Sequence, residues 1–173
     1  MMASTSVAES AASGISFDRL VETHQAMVFS LAYHFLHDRA AAEEVAQDVF
    51  LQLYSHREEM VSPVHVVFWL RKVTANRSID EARRRQRRAE VGIEAAGDPA
   101  SPPEADGWMN LRLRRLVASL PERQRMVIIL RYQEDLEPVE IARLLDVSVN
   151  TVKSQLQRAL TLLREKAGVE KRA

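Results

Sequence analysis

The chain has 173 residues, 46% hydrophobic and 28% charged, a balance that fits a folded globular protein and excludes a disordered one. It holds no cysteine and five scattered glycines, which excludes disulfide frameworks, thiolate zinc sites, iron–sulfur clusters, a cysteine nucleophile and a glycine-rich phosphate cradle. Its 24 basic and 24 acidic side chains cancel in total but fall in alternating blocks along the chain.

Residues 1–14 are small and polar, without Lys, Arg or an apolar segment. They predict a disordered leader rather than a secretory signal, and hence a cytoplasmic protein. No apolar run approaches the ~18–20 residues that span a bilayer, so no direct membrane insertion is expected. Over 17–37, Phe17, Leu20, Val21, His24, Val28, Leu31 and Phe35 recur at helical spacing as one apolar stripe. The pattern resumes with Ala42, Val45, Ala46, Val49, Phe50 and Leu53, and Asp38 between the two is a candidate N-cap. Ser62-Pro63 opens a third helix with Pro near its first position. The run Val64–Leu70 is apolar enough for a strand, but no second strand candidate exists to pair with it. Helix therefore continues through Val73 and Ile79 into Arg83, Arg84, Arg85, Arg87 and Arg88.

Residues 91–110 carry three of the six prolines, three of the five glycines and four acids without a cation, the composition of a linker. Leu111, Leu113, Leu116, Val117 and Leu120 begin a second helical block. Leu120-Pro121-Glu122 starts another helix, whose apolar face is Met126, Val127, Ile129 and Leu130. A short helix over 138–145, a turn Asp146-Val147-Ser148 and a long helix with Val149, Val152, Leu156, Ala159, Leu160 and Leu163 inward complete the chain, with Ser148 as candidate N-cap. The expected fold is all-α: two small helical domains, 15–90 and 111–170, joined by the acidic Pro/Gly linker 91–110.

Charge separates the segments further. Residues 1–66 hold three basic and nine acidic side chains, while 67–90 hold eight basic and three acidic, and 111–173 thirteen basic and eight acidic. Two basic blocks set between acidic ones read either as solvated helix faces or as two nucleic-acid surfaces on a chain that needs a partner to hold it on DNA. The last two helices have the proportions of a helix-turn-helix, which places the start of its second helix in the major groove. Opposite its buried stripe stand Asn150, Thr151, Lys153, Ser154, Gln157 and Arg158, types that read base edges or hold phosphates. An ordinary helical hairpin with a polar outer face has the same spacing.

LPERQRMVIILRYQEDLEPVEIARLLDVSVNTVKSQLQRALTLLRE resembles region 4 of bacterial sigma factors. HDRAAAEEVAQDVFLQLY resembles their region 2.2, and FWLRKVTANRSIDEARRRQRR their regions 2.3–2.4. One such block alone is a weak signal; three in register over about residues 17–167 are a strong one. A chain of this length leaves no room for the larger members' additional domains, so it is similar to the two-domain extracytoplasmic-function class. The resemblance implies a specificity subunit that brings core RNA polymerase to a −35/−10 promoter and nucleates melting, with the phosphodiester chemistry left to the polymerase.

The resemblance also assigns residues. Glu43, Glu44, Gln47 and Asp48 would dock on the clamp helices of the largest polymerase subunit, a role that an acidic domain facing a basic partner suits. Arg71, Lys72, Asn76, Arg77, Arg83, Arg84, Arg85, Arg87 and Arg88 would hold the single strand of the −10 element, with Asn76 beside a captured base. Trp69 reads as core, and Arg71 stands where many members carry an aromatic residue. Asn150, Thr151, Lys153, Ser154, Gln157 and Arg158 would face the −35 element. Ser154-Gln155-Leu156-Gln157-Arg158 replaces a common Ser-Arg-Leu-His-Arg, and Asp146 replaces a usual Gly in the turn. The linker is implied to thread toward the RNA exit path, or to be a plain tether. Implied partners are core polymerase (clamp helices, and the flap for region 4), promoter DNA and an anti-sigma factor, with no small-molecule substrate.

An enzyme is not expected. His24, His34, His37, His56 and His65 are the only candidate bases, and His34 and His37, three apart, lack a third well-placed metal ligand. No cofactor or metal is expected. Two other readings stay open: a stand-alone helix-turn-helix regulator that binds duplex DNA, and a helical antagonist that occupies the polymerase without DNA. The basic block 71–88 argues against the first, because a duplex reader needs no strand-melting surface.

Overall fold

A computed structural model describes residues 16–92 and 108–169, and every element in them is helical. The leader 1–14 and most of the linker 91–110 lie outside the described residues. The first half comprises α1 (Phe17–Leu36), α2 (Arg39–His56), a 3-10 turn (Arg57–Glu59) and α3 (Pro63–Glu90). The second comprises α4 (Trp108–Ala118), α5 (Glu122–Tyr132), α6 (Pro138–Leu145) and α7 (Val149–Val169).

Local chemistry sets the boundaries. The Asp38 carboxylate accepts from the Ala41 N–H at 2.8 Å and caps α2. Just before it, His37 ends α1 in the left-handed region at φ 53°. Ser62 Oγ accepts from the His65 N–H, and Pro63 follows at the helix start, where its missing donor is harmless. Ser148 Oγ accepts from the Thr151 N–H and caps α7. Between α6 and α7, Asp146 sits at φ 54° and the Val147 N–H returns to the Ala142 carbonyl, closing a tight reverse turn.

In the first half, Leu20, Val28, Ala32, Ala42, Val45, Val49, Leu53, Val66 and Leu70 form one buried cluster. Trp69 packs against it with its ring 5.8 Å from that of His56, the structural role expected of it. In the second half, Leu120, Ile128 and Ala159 pin α5 to α7. The largest cluster belongs to both halves. Leu31 and Phe35 of α1 and Ala75 of α3 are buried together with Met126, Val127, Ile129 and Leu130 of α5, Ile141 of α6 and Val152 of α7. Arg125 is the polar counterpart of this seam: it donates to the carbonyls of Phe35 (3.0 Å) and Leu120 (3.1 Å) and lies over the Phe35 ring. Burial lowers its pKa, and the nearby Glu122 carboxylate opposes that shift.

Candidate nucleic-acid interfaces

The helix-turn-helix is built as a rigid wedge. Val152 and Ala159 anchor α7 with no exposure, and Val149 and Leu156 pack beside them. The opposite face presents Asn150, Lys153, Ser154, Gln157 and Arg158 to solvent. Ser154, Gln157 and Arg158 line an open groove with Gln124, Thr161 and Glu165. Thr151 differs from the others: it is half-buried, its hydroxyl lies 2.8 Å from Ser148 Oγ, and it points toward α3. Five of the six expected −35 residues therefore share one accessible face.

The basic face of α3 is differently placed. Arg71 Nε pairs with Glu134 Oε2 at 2.9 Å, with the Glu134 side chain only 7% exposed. Lys72 Nζ meets Asp146 Oδ2 at 2.9 Å, and Arg83 meets Glu122 at 2.7 Å. All three carboxylates belong to the second half. Asn76, Ile79, Asp80 and Arg83 line a cavity of about 200 Å³ whose other wall includes Val147, Thr151 and Gln155 of the helix-turn-helix. Asn76 lines one side of this cavity and is itself exposed to solvent.

The rest of the cluster is held within the first half. With its amide turned to suit its neighbours, Gln52 accepts from Arg77 Nε and Nη2 at 2.8 and 2.7 Å. Arg84 pairs with Glu81 at 2.6 Å and approaches Glu44 at 3.8 Å. Arg85 pairs with Asp38. Burial alone would raise the Asp38 pKa, but the Ala41 N–H and Arg85 outweigh it and hold the carboxyl below its ordinary value. Arg87 and Arg88 are exposed in the last turn of α3, where cations suit the helix dipole.

Glu43, Glu44, Gln47 and Asp48 all lie exposed on α2, with Arg39 paired to Glu43 at 2.9 Å. Sequence reasoning missed two neighbours on this helix: Leu51, 67% exposed, and Tyr54, 51% exposed and in edge contact with Phe17. The signal was present. Leu51 stands seven residues after Glu44, off the apolar stripe, and an apolar side chain on a polar face is an anchor candidate. Among the described residues no three His, Asp or Glu side chains are grouped to hold a metal ion. Their helices also include none long and apolar enough to cross a membrane.

Comparison with known proteins agrees with this architecture. Residues 20–88 match the family described as Sigma-70 region 2, and residues 110–163 match Sigma-70, region 4. The chain is 30% identical over 157 residues to the ECF RNA polymerase sigma factor SigK of Mycobacterium bovis, covering 86% of this chain and 84% of that protein. It is 29% identical over 159 residues to "Probable RNA polymerase sigma factor RfaY" of Xanthomonas campestris, of which it spans 40%. Its fold matches that of the sigma factor RpoE in the co-crystal structure with the anti-sigma factor NepR from Bartonella quintana, with a TM-score of 0.72, 21% identity, and coverage of 88% of this chain and 97% of that one. With both regions present in order and such a relative covered over most of its length, the chain belongs to the sigma-70 family of RNA polymerase sigma factors, in its extracytoplasmic-function class.

Proposed function

We propose that this sigma factor works as two DNA-handling domains, 15–90 and 111–170, tethered by the linker 91–110 and delivered to promoters on core RNA polymerase. Asn150, Lys153, Ser154, Gln157 and Arg158 read the −35 duplex from α7, with Thr151 at the groove edge. Asn76 and the basic residues Arg71, Lys72, Arg77 and Arg83–Arg88 of α3 receive the melted −10 strand. Glu43, Glu44, Gln47 and Asp48 dock on the polymerase clamp helices, with Leu51 as an apolar anchor inside that acidic face. Region 4 meets the flap, and an anti-sigma factor, of the kind bound to the fold's relative, completes the partner set. The protein acts in the cytoplasm, needs no cofactor and leaves catalysis to the polymerase.

The observation that carries this reading is the pairing of a capped helix-turn-helix that presents a polar and cationic face with a second helix carrying eight basic residues over 71–88. A duplex reader requires only the first. The test is size-exclusion chromatography of the chain with sigma-free bacterial core polymerase, followed by promoter-dependent transcription. Co-elution and specific transcripts are expected. A chain that stays apart from polymerase yet binds specific duplex unaided is a stand-alone regulator instead.

A further inference from the structure

We infer that Gln52 of α2 is a positioning residue for strand capture: it sets the Arg77 guanidinium so that its open edge meets a phosphate beside the captured base. The inference rests on the reading of α3 as the −10 surface and deepens it. The Gln52 amide oxygen accepts from Arg77 Nε and Nη2 at 2.8 and 2.7 Å, which occupies one edge of the guanidinium plane. The end-on edge, formed by Nη1 and the second Nη2 hydrogen, keeps its donors. It is a parallel pair of the kind that matches two oxygens of one phosphate. Arg77 is exposed, so a strand can reach it. Successive side chains on a helix diverge by about 100°, which sets Arg77 to one side of Asn76. That placement suits the phosphate flanking a base held at Asn76 better than the base itself.

The partner's chemistry sets this cation apart from its neighbours. Arg71, Lys72, Arg83, Arg84 and Arg85 each meet a carboxylate. Among the described residues Arg77 meets none, and the group that holds it is a neutral amide. A carboxylate orients a guanidinium and cancels its charge, whereas an amide orients it and leaves the whole charge for DNA. A long side chain ordered beforehand also has less freedom to lose on binding. Gln52 is itself well supported. It is half-buried, its backbone carbonyl accepts from His56 Nδ1 at 2.9 Å, and the His56 ring lies 5.8 Å from that of Trp69. Val49 and Leu53 of α2 are buried together with Val66 and Leu70 of α3, which fixes the two helices that carry the pair. The hold lies wholly within the first half and needs nothing from the second.

Two substitutions separate orientation from charge. Gln52→Met keeps length and packing and deletes the acceptor. Gln52→Glu keeps the hold and adds the charge that cancels Arg77. Each full-length variant is assembled with core polymerase, as are Arg77→Ala and the double variant Gln52→Met with Arg77→Ala. The probe is a labelled non-template oligonucleotide from the −10 segment of a promoter that the parent holoenzyme transcribes. Gln52→Met is expected to weaken binding about two- to tenfold, the range for ordering one long side chain, with the salt dependence unchanged. In the Arg77→Ala background it is expected to cost nothing further. Gln52→Glu is expected to flatten the log–log salt slope by about 0.7, the share of one single-strand phosphate contact, with a thermal melt like the parent's. A Gln52→Met loss that persists in full beside Arg77→Ala overturns the role, because Gln52 then acts without Arg77. A parent-like slope in Gln52→Glu overturns the phosphate contact. If the parent holoenzyme gives no specific transcript, the sigma reading falls and this role with it. If the parent transcribes and the variants bind as it does, only the role of Gln52 falls.

Discussion

The outer face of α7 and the basic face of α3 use the same residue chemistry, cations and amides on one side of a long helix, yet they meet different surroundings. The α7 residues Asn150, Lys153, Ser154, Gln157 and Arg158 project from a helix whose buried side is fixed, so the face points to solvent by construction. The α3 residues Arg71, Lys72 and Arg83 instead find their counter-ions in the same polypeptide. A duplex in the major groove accepts a preformed helix, and reading it asks little of the protein's conformation. A strand with a displaced base needs an open channel. The contrast is that of a face free of internal counter-ions and a face whose cations are in part neutralised across the seam.

The largest effect is expected at the seam that produces this contrast. Phe35 is fully buried where the two halves meet. Phe35→Ala should lower stability by about 3–5 kcal/mol, because the lost apolar contact is joined by a cavity that its rigid neighbours do not fill. Chemical denaturation checks this. A loss below about 1 kcal/mol, of the size typical for exposed positions, would show that the halves do not share a core in solution.

The two faces themselves are separated by their DNA phenotypes. Arg158→Ala should cost about 1–3 kcal/mol, concentrated at one −35 base pair, if the guanidinium reads a base edge. A uniform loss over all duplexes would reassign it to a phosphate. Asn76→Ala should leave duplex binding intact and impair open-complex formation; permanganate footprinting with normal melting would remove Asn76 from strand capture. Smaller still is the effect of Glu44→Lys with Asp48→Lys. Both side chains are exposed, so the fold should persist while polymerase affinity falls. A pull-down with unchanged affinity would move the docking surface elsewhere.

The sequence was informative wherever the determinant is local. Asp38 and Ser148 were readable as caps because each bonds an N–H three residues away. The exposed polar face of α7 followed from period, Thr151 excepted. The closure of the halves was not readable, because its pairs join residues as far apart as Arg71 and Glu134, 63 positions away. No periodicity signals such a pair. Two residues that depart from the usual sigma pattern, Arg71 and Asp146, turn out to be members of these cross-seam pairs. Reading each departure only as a change of DNA contact or of turn geometry overlooked its ion pair with the opposite half. Leu51 was missed for a simpler reason: attention to its charged neighbours hid an apolar residue among them.

The seam also carries a titratable probe of its own state. His37 ends α1 beside the interface, with a buried Nε2 that has no hydrogen-bond partner. Burial, then the charges of Arg125, His34 and Arg114, lowers its pKa from 6.5 to about 4. The unfolded chain takes up this proton near 6.5 and the folded chain only near 4, so stability is intact above pH 6.5 and declines as the pH falls toward 4. His24, lowered by burial and then Arg71, adds to the slope with the same sign. Asp38 titrates below its ordinary 3.8 and so stays out of this window. His37→Asn should flatten the decline, since Asn cannot take the proton and tolerates the left-handed backbone at φ 53°. Thermal melts across this pH range check this expectation. An unchanged slope in His37→Asn would place the acid sensitivity elsewhere.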